Sequence, residues 1–211
     1  TPKEVPPAVR RACAGLVFEE IPGLPEADPD WGEPGMTYAE RVFGWTSVIV
    51  LAAITGHPDA PTNAVQGEAR ARLQVRHAAD VSGPSIVPAL RRHLEKHGFP
   101  EVQVVPVVER DMFGASRTDP DDPWVGMVAA SMQRTAGRAP NVVPNSSGSN
   151  PSDMFQEELG TPVIWIPNSY AGCNQHGPDE HALAPLLREG LGLMAGIWWD
   201  IGDGFAPPKR A

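Results

Sequence analysis

The composition of the 211-residue chain excludes several classes of protein. Its 17 Lys and Arg residues are outnumbered by 26 Asp and Glu residues, and the net charge of −9 disfavours a nucleic-acid-binding protein. Two cysteines, Cys13 and Cys173, are too few for a disulfide scaffold, and the apolar runs are shorter than the ~18 residues that a membrane span needs. An apolar content of 41% with six Trp predicts a packed core.

The N-terminal part of the sequence predicts one helix, a long loop and two strands. Apolar residues at helical spacing predict a helix over about 7–19, and prolines mark 21–35 as a surface loop. The apolar, β-branched run 47–55 predicts a buried strand, and 56–63 is expected to be a loop. Alternation of apolar and basic residues over 69–76 predicts a strand with one buried face and one basic, solvent-exposed face.

A helix and a further strand follow this pair. Ile86, Leu90 and Leu94 recur at helical spacing after a Ser-Gly-Pro-Ser segment, and Gly98 is expected to end the helix. The Val-rich run 102–108 predicts the strand. The order strand, strand, helix, strand is most of a ferredoxin-like unit.

The remainder of the chain alternates helices with short strands, which is typical of an α/β domain. Asp122 is expected to cap a helix that runs from Pro123 to Gly137. The elements predicted after it are strand 141–143, helix 152–159, strand 163–166 and helix 182–200. In the last helix, one apolar stripe consists of Leu183, Leu187, Leu191, Met194 and Trp198. The glycines that permit close packing there are Gly190, Gly192 and Gly196.

The loop 168–181 is the segment richest in candidate chemistry. It contains several side chains of the types that bind metals, namely Cys173, His176, Asp179, Glu180 and His181. The alternative is an ordinary loop before a helix, in which the acidic residues stabilise the helix N-terminus and His176 is merely exposed. The residues alone leave both interpretations open.

Two other places are candidates for binding an anionic substrate. The loop 145–153 brings Gly148 and several serines to the start of a helix, where they form either an anion site or a polar turn with a cap. Arg76 ends the basic strand, and Asn63 precedes that strand. A guanidinium there can hold a carboxylate through two parallel hydrogen bonds, the alternative being a solvated strand face.

Two weaker patterns are interpreted as coincidental. His57 and Asp59 have the spacing of a metal-bridging pair, but the segment between Asp80 and Glu109 offers no loop carboxylates for a dinuclear site. A triad of Ser149, His176 and Asp179 lacks the G-x-S-x-G elbow of serine hydrolases.

Two segments resemble the M20 family of metallopeptidases, which includes carboxypeptidases, dipeptidases and deacylases of N-acyl amino acids. The run TNAVQGEARARLQVR (62–76), with the helix and Val-rich strand after it, resembles the second half of that family's lid, or dimerisation, domain. The run NSSGSNPSDMFQEELGTPVIWIPNSYAGCNQHGPDEH (145–181) resembles the C-terminal part of the catalytic domain, where a Gly-Gly-Ser-type loop, a strand and a His-x-Pro-(Asn/Asp)-Glu motif follow in that order.

The resemblance implies roles for individual residues. His176 matches the last metal-ligating histidine of the family, and Glu180 matches the acid that follows it. The family's loop that contacts the carboxylate end of the substrate corresponds to Gly148 and Ser149, with Ser147 in place of the first glycine. Asn63 and Arg76 correspond to a polar residue and an arginine that bind the substrate between the lid and the catalytic domain in this family. In dimeric members, part of this contact comes from the neighbouring subunit.

The resemblance also implies a fold and an activity. We expect an α/β protein with an α+β lid: a partial ferredoxin-like lid with a Pro-rich start over 1–113, and the C-terminal half of a zinc-peptidase-like catalytic domain over 114–211. The family's first metal ligands, its bridging aspartate and the glutamate that acts as general base have no counterpart in the sequence. We therefore expect a portion of a metal-dependent hydrolase that cleaves a peptide or amide bond next to a carboxylate, with no catalytic residue of its own and no activity alone.

The implied cofactor is a pair of divalent metal ions, with zinc expected, which these residues alone would not hold. The implied substrate is a small peptide or an N-acyl amino acid. The implied partners are a second copy bound through the lid and a missing N-terminal segment of the enzyme, whereas neither nucleic acid nor membrane is expected and the implied location is the cytoplasm. The alternatives are a non-catalytic association module acting through the lid, and one chain of a nicked enzyme.

Overall fold

A computed structural model describes residues 4–16, 18, 28–106, 114–146 and 148–205. Helices and strands are named here in chain order. The helices are α1 (Pro7–Ala14), α2 (Tyr38–Phe43), α3 (Ile86–Lys96), α4 (Pro123–Ala136), α5 (Ser152–Leu159) and α6 (Ala184–Gly202). The strands are β1 (Ser47–Thr55) and β2 (Ala69–Arg76), which confirms the mixed α/β class.

The chain divides into two compact units. The first consists of Thr1–Glu4 and Trp45–Ala115, and the second of Val5–Gly44 and Ser116–Ala211. The domain boundary expected between residues 113 and 114 stays a prediction. Among the described residues, no helix is both long and apolar enough to cross a membrane.

The first unit contains the antiparallel hairpin of β1 and β2, where both strands were predicted. Its register pairs Ser47 with Arg76 and Thr55 with Ala69, with an irregularity between Val50 and Ala52. The predicted burial was wrong, because nearly all of β1 and the first half of β2 are exposed. Two strands leave two open faces, and the described part of the unit packs no helix closely against either one.

The helix α3 of this unit agrees with the prediction, whereas the strand after it does not. A 3-10 turn at Gly83–Ser85 leads into α3. The strand predicted at 102–108 was wrong for 102–106, which are irregular, and 107–108 lie outside the described residues. The Arg91 guanidinium donates to the Val104 carbonyl oxygen at 3.0 Å, so this segment is held by a helix side chain.

In the second unit, α4 and α6 form the core. The Asp122 carboxylate accepts from the Trp124 N–H at 2.9 Å, which confirms the predicted cap. α4 ends at Gly137 in the left-handed conformation. The buried core cluster consists of Met127, Val128 and Ile197, with Trp124, Met132, Ile164, Ile166 and Ile201 packed against it.

The strands predicted at 141–143 and 163–166 were wrong, since both segments are irregular and neither pairs with a strand among the described residues. A threonine holds the second segment instead. The Thr118 hydroxyl donates to the Val163 carbonyl at 2.7 Å, accepts from the Val163 N–H at 2.9 Å and accepts from the Gln156 amide at 2.8 Å. In this second segment, side-chain hydrogen bonds therefore take the place of the backbone hydrogen bonds between strands that its apolar sequence predicts.

The apolar stripe predicted for the last helix is largely exposed. Leu191 is 73% exposed and Trp198 67%, whereas Gly190 and Ile197 are buried. Close packing is confirmed at two of the three predicted glycines: a Cβ atom at Gly190 would overlap the Asn168 side chain, and one at Gly196 would overlap the Thr135 hydroxyl. The packed side of α6 is thus formed by Gly190, Gly196 and Ile197 rather than by the predicted stripe.

The N-terminal elements of the second unit are α1 and α2. α1 ends at Ala14 rather than near residue 19, with residues 17 and 19 outside the described part of the chain. The loop expected at 21–35 is irregular from residue 28 onward, and 21–27 are not among the described residues. The Arg41 guanidinium holds that loop by donating to the carbonyl oxygens of Pro29, Trp31 and Glu33.

Helix α2, which was not predicted, begins with a capping box. The Thr37 hydroxyl accepts from the Glu40 N–H at 3.2 Å, and the Glu40 carboxylate accepts from the Thr37 N–H at 2.8 Å. Glu40 is buried and also forms an ion pair with Arg10 at 3.3 Å. Burial, and secondarily the Glu40 charge, raise the pKa of the Cys13 thiol.

We expect Thr37→Ala to destabilise the second unit by about 1 kcal/mol, because the substitution removes the hydroxyl that caps α2. The free energy of unfolding in urea measures the effect. Thr37→Ser is the matched control and keeps the wild-type stability, since serine caps as well as threonine. Equal loss of stability in both variants would contradict a capping role.

Candidate functional site

The histidine-rich loop between residues 167 and 183 has an unusual backbone. The loop contains a 3-10 turn at Ala171–Cys173. Three residues other than glycine then adopt the left-handed conformation, with φ of 57° at Asn174, 64° at His176 and 59° at Asp179. Asn, Asp and His tolerate this conformation better than most residues, so the local sequence suits the loop.

Hydrogen bonds within the loop hold His176 in place. The His176 N–H donates to the Glu180 carboxylate at 3.2 Å, and the Asn174 side-chain amide donates to the Pro178 carbonyl oxygen. The His181 N–H donates to the Cys173 carbonyl at 3.0 Å and closes the loop. His176 is exposed and Cys173 is buried, so the loop presents the imidazole and covers the thiol.

A contact between Tyr170 and His181 joins the two ends of this loop. The Tyr170 hydroxyl lies 2.7 Å from His181 Nε2, and His181 Nδ1 lies 3.0 Å from the Asp179 carbonyl oxygen. A carbonyl only accepts, so Nδ1 carries the proton and Nε2 accepts from the Tyr170 hydroxyl. No sequence pattern predicts a role for Tyr170, because a separation of 11 residues from His181 matches no recognisable motif.

The donor set of this loop fits one ligand position of a metal centre. Among the described residues, no group of three or more His, Cys, Asp or Glu side chains is arranged to hold a metal ion. His176 supplies an accessible imidazole, and Glu180 is oriented by its contact with the His176 backbone. The loop can therefore contribute to a metal site without forming one.

The second polar loop leads into α5. The Gly148 N–H donates to the Ser146 hydroxyl at 3.1 Å, and the Asn150 side chain accepts from the Ser152 N–H at 3.0 Å. The Asn150 side chain thereby holds the backbone at the first residue of α5, whereas Gly148 and Ser149 are exposed. Their predicted contact with a substrate carboxylate stays a prediction, and Ser147 is outside the described residues.

Asn63 and Arg76, the two residues predicted to contact substrate from a lid, lie at opposite ends of the hairpin. Asn63 is in the loop that connects β1 to β2, whereas Arg76 pairs with Ser47 at the far end. The eight residues of β2 separate these ends by roughly 23 Å at the usual rise of an extended strand. The Arg76 Nε atom is buried and has no hydrogen-bond partner within the described part of the chain. One copy of the hairpin therefore does not bring both side chains to one small ligand.

Comparison with known proteins identifies the fold. No protein-family model matches the sequence, and no curated protein sequence is significantly similar. The structure is similar to the M20 family metallo-carboxypeptidase Sso-CP2 from Sulfolobus solfataricus, with a TM-score of 0.71 and 19% identity over 92% of this chain and 45% of that one. The chain has an M20 peptidase fold.

A second M20-type structure supports the same conclusion. The dipeptidase Dug1p from Saccharomyces cerevisiae matches with a TM-score of 0.56 and 14% identity, over 75% of this chain and 34% of that one. The chain thus spans less than half the length of either enzyme.

We expect Tyr170→Phe to loosen the loop around His176, because it removes the hydrogen bond to His181 while keeping the aromatic ring. An exposed hydrogen bond of this kind stabilises by at most about 0.5–1 kcal/mol. NMR of the His181 ring nitrogens should show the Nδ1–H tautomer in the wild type and a mixture in Tyr170→Phe.

Tyr38→Phe is the matched control, because Tyr38 contacts Phe18 through its ring. It should leave the His181 tautomer unchanged. A His181 signal that is identical in wild type and Tyr170→Phe would contradict the assigned hydrogen bond.

Proposed function

We propose that the chain is part of a metal-dependent hydrolase that cleaves a peptide or amide bond next to a carboxylate. The observation that carries this proposal is the fold similarity over 92% of the chain to a protein described as a metallo-carboxypeptidase. The M20-type dipeptidase matches as well, so the proposed substrates are small peptides or N-acyl amino acids.

His176 is the proposed metal ligand of this chain. Its imidazole is exposed, and the hydrogen bond between its backbone N–H and Glu180 fixes the turn that presents it. A pair of divalent ions, with zinc expected, would polarise the substrate carbonyl and lower the pKa of a bound water. The remaining ligands and the general base would come from outside these 211 residues, as would any catalytic residue.

Binding of substrate is the proposed role of Gly148 and Ser149 in the second unit, and also of Asn63 and Arg76 in the first unit, where each of the two would act in a different copy of the hairpin. Support for Arg76 comes from its buried Nε atom, because an unpaired buried donor is satisfied when an anion binds. Support for Ser149 is its exposed position just before Asn150, whose side chain accepts from the N–H of the first residue of α5. A complete enzyme of this kind would act on small molecules in the cytoplasm.

The 211 residues alone should be inactive. We expect no hydrolysis of dipeptides or of N-acetyl amino acids above the buffer rate when the purified chain is mixed with Zn²⁺ or Co²⁺, because one imidazole does not hold a catalytic metal ion. Circular dichroism of the same sample verifies that the chain is folded. Robust turnover by the chain that the His176→Ala substitution abolishes would overturn the proposal that the remaining metal ligands and the general base lie outside these residues.

A second candidate function is that of an association module acting through the hairpin. The observation that favours it is the exposed apolar surface of β1, where Val48, Val50 and Ile54 are 58%, 62% and 56% exposed. A two-stranded sheet also has unpaired strand edges, which readily pair with a second copy. In such a dimer, Asn63 of one copy could approach a site to which the other copy contributes Arg76.

We expect the chain to form a homodimer in light scattering, and Val50→Lys to convert it to a monomer, because a lysine on an exposed strand opposes edge pairing. Val65→Lys is the matched control: Val65 is fully exposed in the connecting loop, and its substitution should leave the dimer intact. A wild-type chain that is monomeric at high concentration would exclude this function without affecting the proposed hydrolase.

A further inference from the structure

Two histidines whose rings are in contact lie at the C-terminal end of α3, His93 in its last turn and His97 as its C-cap residue. The ring centroids of His93 and His97 lie 4.3 Å apart, with an angle of 38° between the planes. The His97 N–H donates to the His93 carbonyl oxygen at 3.1 Å, so the helical hydrogen bonding extends to His97 and places it one turn above His93. Both side chains are exposed.

This arrangement has the spacing at which two imidazoles reach the same metal ion. Side chains four residues apart share one helix face, and a pair of histidines at this spacing chelates zinc in helical metalloprotease motifs. Packing does not explain the pair, because the apolar side of α3 is formed by the half-buried Ile86, Leu90 and Leu94 and the histidines are exposed. A chelating function accounts for both the exposure and the ring contact.

We propose that His93 and His97 form a surface site for a late first-row divalent metal ion. Imidazole is a preferred ligand of Ni²⁺, Cu²⁺ and Zn²⁺, and a site of two nitrogens follows the general order in which Cu²⁺ binds most tightly. Water fills the remaining positions of the ion. The site belongs to the first compact unit and is separate from His176, which belongs to the second.

Titration of the purified chain with Cu²⁺ alone, followed by calorimetry and by electron paramagnetic resonance, tests the proposal. We expect a site whose spectrum shows two equatorial nitrogens from imidazole. His93→Ala or His97→Ala should each weaken binding about 100-fold, because the second imidazole of a chelate binds at a high effective concentration. Ni²⁺ should bind the same site more weakly, in keeping with the metal order.

Two control variants separate chelation from general binding to histidine. His57→Ala removes an exposed histidine from a loop of the same unit and should leave the affinity unchanged. Glu95→His combined with His97→Ala keeps two histidines on α3, but at a spacing of two residues they face different sides and should not restore binding. Full affinity in this double variant, or unchanged binding in His93→Ala, would overturn the proposal.

Discussion

The second compact unit depends on the close approach of α6 to two polar side chains. Gly190 lies against Asn168, and Gly196 lies against Thr135, with no room for a Cβ at either position. Because Asn168 opens the histidine-rich loop and α6 follows that loop, the contact at Gly190 joins the start of the loop to the helix at its end. The geometry of His176 therefore rests on a packing contact rather than on the loop alone.

Ion pairs flank this helix contact but contribute less to it. Arg134 contacts Asp200 at 2.6 Å, and Arg138 contacts Glu189 at 2.6 Å. The neighbouring Ser131 and, second, Arg134, which donates to the Asp200 carboxylate, hold the pKa of Asp200 below its usual value. Arg134 is half exposed and Arg138 is largely exposed, and exposed pairs stabilise little. The register of α4 against α6 is therefore set by the close approach of Gly196 to Thr135 and by the buried cluster around Ile197.

The sequence predicted helices well because their ends are local. Asp122 caps α4 through its own neighbour, and the residues that begin and end α5 lie within a few positions of it. Strands failed where the chain offers no partner: the Val-rich run 102–106 has strand composition, but a strand needs a neighbour to complete its hydrogen bonds. The missed helix α2 had a local signal, the Thr37 and Glu40 capping box, that could have revealed it.

Burial was less predictable than secondary structure, since it depends on what covers each face. The exposed apolar residues of β1 and α6 match the patterns of buried elements, and Trp198 and Trp199 are 67% and 72% exposed. Large exposed apolar surfaces mark interfaces. Under the proposed function, these faces are where the remaining parts of an M20 enzyme and a second copy would pack.

The two histidine systems differ in what they require from the rest of a protein. His93 and His97 are brought together by the helical repeat alone, so α3 is sufficient for a chelating pair. Under the proposed function, His176 would supply a single ligand, and its use in catalysis would depend on groups that the loop does not contain. Local hydrogen bonds nevertheless fix its backbone in advance, and a preordered ligand loses less conformational entropy when a metal site assembles. The order within this loop is therefore what these 211 residues would contribute to a catalytic centre completed elsewhere.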